Sequence, residues 1–367
     1  MIYLDYSATT PVNKEVLASF DKASLDFFAN PNSLHYLGVK TKQLIEAATK
    51  QIADILAVKE DEIIYTSGSS ESNNLAIKGV ADRYKGKHII TTMLEHSSIY
   101  GPLSYLQKKG YEITFLKLKN GLVDLDDLKN SLREDTVLVT IASVNSETGV
   151  LQNIEEISKV IKENSKAIFH VDMTQSVGKV NVSMKNVDLA SFSAHKFYGL
   201  KGIGCLIKKE DIKLEPIIHG GKSTTVYRSG TPATSLIVSL SKALKLINQN
   251  ITKNYDYISS LYSYLADKLK AYDGVYINSI NNIPHILNIS LNGIKPETFQ
   301  HALEEHDILI STQSACSTGE VSKAVMAVTN DEEKARTSVR ISLSYLTTKD
   351  EIEKFLKAFD VCYKNLR

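Results

Sequence analysis

The feature that most constrains the fold is an alternation between about residues 62 and 208, where short β-branched apolar runs are separated by longer amphipathic stretches. The runs are Glu62-Ile63-Ile64-Tyr65-Thr66, His88-Ile89-Ile90-Thr91, Val137-Leu138-Val139-Thr140-Ile141, Ala167-Ile168-Phe169-His170-Val171 and Ile203-Gly204-Cys205-Leu206-Ile207. Strands that are apolar on both faces, with helix-length segments between them, predict a mainly parallel sheet covered on both sides, and so an α/β domain. Asp188 to Ser193 reads as a further strand that runs into His195 and Lys196. A chain of 367 residues exceeds one small core and predicts two closely packed domains. The larger spans 12–250; a smaller α+β domain takes 1–11 and 251–367. Between Glu215 and Ser235 the chain is polar and rich in Gly and Thr, including Gly220-Gly221-Lys222-Ser223-Thr224 and Arg228-Ser229-Gly230-Thr231-Pro232. Loops this long serve a function or an interface. Ser235 to about Lys270 reads as one long helix.

Charge narrows the choice of partners. With 43 Lys and Arg against 42 Asp and Glu, no single-sign field draws nucleic acid or an anionic membrane, and a small neutral or zwitterionic substrate fits better. The amino terminus, Met1-Ile2-Tyr3-Leu4-Asp5-Tyr6, lacks the organisation of a secretory signal, and no apolar run is long enough to span a bilayer, so a cytoplasmic protein is expected. Cys205, Cys316 and Cys362 are odd in number, widely separated and without metal-ligand spacing, which predicts free thiols and no metal site.

Four constellations carry chemistry. Lys196 follows a strand at the ligand-binding edge of an α/β sheet, where its amine can form a Schiff base with an aldehyde cofactor. Asp172 ends another strand, in His170-Val171-Asp172-Met173-Thr174-Gln175, where a fixed carboxylate can keep a pyridine nitrogen protonated. Thr66-Ser67-Gly68-Ser69-Ser70 leads into a helical pattern, and its N–H groups and hydroxyls suit a phosphate. His96, in Glu95-His96-Ser97-Ser98, can lie over a flat ring. Each alone admits a plainer reading: a solvated lysine, a helix cap, an ordinary helix start, a hydrogen-bonded loop histidine. Together they supply an anchor, a ring-nitrogen partner, a phosphate cup and a stacking group.

In this order, these residues resemble the NifS/IscS-type cysteine desulfurases of the aspartate-aminotransferase superfamily. The resemblance also rests on Tyr3-Leu4-Asp5-Tyr6-Ser7-Ala8-Thr9-Thr10-Pro11, Asn30-Pro31-Asn32-Ser33-Leu34-His35, Ser314-Ala315-Cys316 and Arg340-Ile341-Ser342-Leu343. It implies a fold type I pyridoxal-phosphate (PLP) enzyme. In it Lys196 holds the cofactor, Asp172 pairs with the ring nitrogen, Gln175 bonds the ring oxygen and His96 stacks on the ring. Ser69, Ser70, Ser193 and His195 would hold the phosphate, and Thr231 would reach the phosphate of a partner subunit in a homodimer with shared sites. Arg340 would clamp the substrate carboxylate, with Asn145, Ser146 and Asn32 also on the substrate side. Lys196, Cys316 and His96 form the implied catalytic set.

Cys316 lies in Ile310-Ser311-Thr312-Gln313-Ser314-Ala315-Cys316-Ser317-Thr318-Gly319, whose polarity predicts a mobile loop able to carry a thiolate. Cys205, in an apolar strand, and Cys362, in a terminal helix, read as packing. The implied reaction takes sulfur from L-cysteine, leaving L-alanine and a Cys316 persulfide for an acceptor protein of iron–sulfur cluster assembly or tRNA thiolation. Two departures from the family pattern stand out: Ser146 replaces an Asn, and Lys222-Ser223-Thr224 follows Gly220-Gly221 where the pattern has x-Gln-Glu. They keep open a selenocysteine lyase, or a desulfurase of a related amino acid. A non-catalytic PLP-binding partner protein is the remaining alternative.

Overall fold

The computed structural model describes residues 1–312 and 321–367; Cys316 lies outside the described residues. A seven-stranded sheet runs, in spatial order, through Ile63–Thr66, Gly204–Lys208, Leu189–Ser193, Ile168–Asp172, Thr136–Ala142, His88–Thr91 and Glu112–Phe115. Gly204–Lys208 is antiparallel to both neighbours, and the other pairings are parallel. The five runs read from the sequence are strands, and so is 189–193. Glu112–Phe115 gives no such run, because it is a part-exposed edge strand whose Glu and Thr break the apolar pattern.

The central strands are buried along their whole length, as expected of a sheet with helices on both faces. Ile90, Val139, Ile141, Phe169, Val171 and Phe192 are fully buried on one face, and Ile64, Ile89, Leu138, Leu189 and Leu206 fill a second core on the other. Each such side chain contributes about 1.5–3 kcal/mol of transfer free energy. This order brings the carboxyl ends of six strands to one edge, and every candidate cofactor residue but Thr231 lies at or just after one of those ends.

The carboxyl-terminal region builds an antiparallel sheet in the order Val275–Ile277, Ile286–Leu291, Ser338–Ser342. Its core includes Leu265, Leu287, Ile289, Phe299, Val339, Phe355 and Phe359, and Ile2 and Leu4 from the start of the chain join it. Strand Ile2–Tyr3 pairs in parallel with Ile308–Leu309, and Asp5 bridges to Ser342. On this packing we propose to divide the chain into 12–250 and the pair 1–11 with 251–367.

The stretch read as one helix from 235 to 270 is two, Thr234–Asn248 and Ile251–Leu269. Asn250, with φ −123° and ψ 13°, breaks it. Asn is a weak helix former, and the two halves bury stripes in different cores: Leu240 and Leu244 against the large sheet, Leu261 and Leu265 against the small one. The break re-aims the chain between them. The loop before it, from 215 to 233, contains neither helix nor strand, as expected. No described helix is long and apolar enough to cross a membrane.

One close approach ties sheet to site. A Cβ on Gly204 would stand 2.6 Å from the Phe192 carbonyl oxygen and 2.7 Å from the Gly68 Cα. Only glycine lets the turn after Thr66 lie flat on the antiparallel strand.

Candidate active site

The carboxyl edge of the large sheet opens into a cavity of about 240 Å³. Ser69, Ser70, His96, Ser146, Asp172, Gln175, His195, Lys196 and Arg340 line it, together with Ser7, Ala8 and Thr174. Most of the predicted site therefore converges from sequence separations of up to several hundred residues.

Lys196 closes a short 3-10 turn, Ala194–Lys196, directly after its strand. Its Nζ donates to the carbonyls of Ser7 at 2.7 Å and Ala8 at 2.8 Å. Asp172, the last residue of the neighbouring strand, accepts from the Thr174 N–H through Oδ1 at 2.9 Å and from Asn73 Nδ2 through Oδ2 at 2.8 Å. The carboxylate thus caps a turn rather than a helix and also lines the cavity. Gln175 donates from Nε2 to the Ser7 carbonyl at 2.9 Å, while its Oε1 accepts from Lys179 Nζ at 2.6 Å. Because the Ser7 carbonyl only accepts, this pairing fixes the amide with Nε2 toward Ser7 and Oε1 toward Lys179. Burial, with Lys196 and Arg340 adding, pushes the Lys179 pKa well down.

Helix Ser69–Arg83 starts after Gly68 with no side-chain cap, so its first turn offers N–H groups at the cavity beside the Ser69 and Ser70 hydroxyls. Ser193 lies under this turn: a Cβ on Gly68 would meet its Oγ at 3.4 Å. His195 sets Nδ1 3.1 Å from Thr9 Oγ1, and burial, with Lys196, Lys201 and Lys179, lowers its pKa to about 4. His96 is the N-cap of helix Ser97–Gln107. Behind it Glu95 is buried, and burial raises its carboxyl to about 8. Its Oε1 accepts from Thr92 and the Ala142 N–H, while Oε2 has no partner among the described residues, which suits a protonated acid.

Arg340 is 2% exposed. Its Nη2 meets Asp5 Oδ1 at 2.7 Å and its Nη1 donates to the Ser146 carbonyl at 2.9 Å. Its Nε, Ser7 Oγ and Thr174 Oγ1 are buried in the cavity wall without partners among the described residues. Unsatisfied donors in a cavity wall are costly unless a ligand meets them. Together with the uncapped helix, the amine and the carboxylate, they fit PLP and a substrate carboxylate.

Four predicted residues among those described do not line the cavity; Ser193 stands beneath the turn at Gly68 instead. Asn145 is buried as a scaffold: Nδ2 donates to the Leu94 carbonyl, and Oδ1 accepts from Glu147 N, Thr148 N and Thr148 Oγ1. Asn32 and Thr231 are exposed in loops. Cys205 and Cys362 are buried free thiols whose pKa values burial raises, as their packing role requires. Sequence reasoning missed Asp5, Asn73, Lys179 and the Ser7 and Ala8 carbonyls, whose partners are set only by the fold.

Residues 2–355 match the family model for aminotransferase class-V. The chain is 40% identical over 376 residues to a cysteine desulfurase IscS of Dictyoglomus turgidum, covering 100% of this chain and 95% of that one. Among solved structures it is similar to a NifS-like protein at TM-score 0.94 and 32% identity, with both chains fully covered. A NifS-like protein from Rickettsia africae superposes at TM-score 0.90 and 33% identity over 99% of each chain.

Proposed function

The chain belongs to the aminotransferase class-V family and is a PLP-dependent enzyme of NifS/IscS type, and from that premise we propose that it is an L-cysteine desulfurase whose sulfur acceptor is Cys316. When bound, PLP supplies an aldehyde that condenses with amines and a protonated ring that withdraws electrons. Lys196 anchors it and carries protons, Asp172 holds the ring nitrogen's charge, and Gln175 donates from Nε2. Arg340, held by Asp5 and the Ser146 carbonyl, receives the substrate carboxylate as a planar two-pronged donor. The Cys316 thiolate attacks the substrate sulfur. The carbon–sulfur bond breaks with its electron pair kept by carbon, and the substrate thiol's proton ends on that carbon as alanine forms. The new sulfur–sulfur bond leaves a persulfide on Cys316, which passes to an acceptor protein of iron–sulfur cluster assembly or tRNA thiolation.

One observation carries the role of Cys316. Both feet of segment 313–320 are tied to the cavity wall. Ser311 exchanges backbone hydrogen bonds with Arg340 at 3.1 and 2.7 Å, and Ser322 Oγ donates to Glu147 Oε2 at 2.6 Å, next to Ser146. A five-residue chain can span up to about 18 Å, a length that suits delivery of a thiol five residues after Ser311 to the cavity. Assaying alanine from cysteine, selenocysteine and cysteine sulfinate tests the reading. Cysteine should yield alanine and, without an acceptor, persulfide in equal amount. Alanine from selenocysteine with none from cysteine would replace the desulfurase by a lyase.

The active form is a homodimer. Leu25, Phe28, Leu34 and Tyr36, close in sequence, are 76%, 74%, 97% and 69% exposed, and these apolar side chains together with the exposed Thr231 loop suit a contact with a partner. Sedimentation should give a dimer, and Leu34→Arg with Tyr36→Arg should give a folded monomer with activity lowered at least about tenfold. An active monomer of either form would remove the shared site. The free thiols suit a cytoplasmic location.

A further inference from the structure

We propose that Asn73 is a positioning residue that acts through Ser98 to fix His96 as the neutral tautomer protonated on Nε2, and so ties the histidine to the Asp172 carboxylate. Asn73 is fully buried on the second turn of helix Ser69–Arg83. Its Nδ2 lies 2.8 Å from Asp172 Oδ2 and 2.9 Å from Ser98 Oγ. The reversed amide would set its oxygen against a carboxylate oxygen, so the amide must donate to both. Ser98 Oγ therefore accepts from Asn73, and its one proton is left for its other neighbour, His96 Nδ1, at 2.9 Å.

The Ser98 backbone N–H is directed at the same Nδ1, at 3.2 Å. A ring nitrogen that receives two donors carries no proton of its own, which leaves the ring's proton on Nε2. Making the imidazolium would set an Nδ1–H against both donors. Burial lowers the His96 pKa in the same sense, with Lys196 adding and Asp172 and Glu147 opposing. His96 thus presents a hydrogen-bond donor to the cavity rather than a proton acceptor. Asn73 Oδ1 has no partner among the described residues, so the residue is held by its two donated bonds alone. These bonds join side chains of the protein alone and are the same whatever amino acid the enzyme consumes.

Nitrogen-15 labelling of histidine tests it in the cofactor-free protein as well as the holoenzyme. Long-range proton–nitrogen correlations, assigned to His96 with His96→Gln, report which ring nitrogen carries hydrogen. The wild type should show a bare Nδ1 and a protonated Nε2 in both forms. In Asn73→Asp the new carboxylate should take the Ser98 hydroxyl proton, and the Nδ1 resonance should shift toward the protonated position. In Asn73→Leu the hydroxyl is free to turn, and the same resonance should move part of the way. A melting temperature for either variant shows whether it is folded, and one folded variant suffices. Overturning results are a wild-type Nδ1 that already carries hydrogen, or an unchanged tautomer pattern in the folded variants.

Discussion

Lys196→Ala should leave a folded protein whose alanine release from cysteine falls at least about 10³-fold, since it removes both the covalent anchor and the proton carrier. The fold should survive. The Ser7 carbonyl keeps the Gln175 Nε2 donor at 2.9 Å, and the net loss is about 1–2 kcal/mol from the bonds to Ser7 and Ala8. A small amine added to the solution should restore part of the turnover, because it can carry the proton that Lys196 no longer does. Borohydride should fix the cofactor to the wild-type peptide containing Lys196. Lys179 is the informative competitor: it is buried just behind Gln175, and its lowered pKa favours a nucleophilic neutral amine. Label on the Lys179 peptide would overturn the assignment of the anchor.

Cys316→Ala should bind cysteine with its normal change in cofactor absorbance, yet release alanine at least about 10²-fold more slowly and carry no persulfide. A thiol near its reference pKa of about 8.5 is only a few per cent thiolate at neutral pH, so attack depends on bringing it to a site that favours ionisation. Arg340 and Lys196 supply positive charge there. Cys205 cannot stand in, because it is fully buried in the strand Gly204–Lys208 and its ionisation is opposed by burial. Selenium leaves carbon more readily than sulfur. Retained turnover of selenocysteine in this variant would mark direct release of the chalcogen, whereas equal loss on both substrates ties both reactions to the thiol.

The cavity was legible where one strand's end decides one residue's place. Asp172, Lys196 and His96 each follow an apolar run, so the parallel sheet that buries the runs must gather them at one edge. What was not legible depends on pairs far apart in sequence. The Ser7 and Ala8 carbonyls that hold Lys196 are backbone atoms 189 and 188 residues away and leave no mark in the side-chain pattern. Asn73 lies in the helical pattern that follows the phosphate-suited turn Thr66 to Ser70, and only the packing of its helix under Asp172 gives it two acceptors. Lys179 stands four residues after Gln175, a spacing equally suited to an exposed face of a helix. The helix break at Asn250 was hidden because both halves share one apolar period while facing different cores. Asn32 and Thr231 match family segments, yet in a single chain they stand outside the cavity.

The central claim is that sulfur leaves cysteine by transfer to Cys316. A single turnover of cysteine on the purified holoenzyme, with alanine counted and trapped persulfides located by peptide mass spectrometry, measures this directly. The account predicts one alanine for each sulfur added, all of it on the Cys316 peptide and none on Cys205 or Cys362. Alanine formed with the sulfur wholly free in solution, or the added sulfur on Cys205 or Cys362, would contradict it.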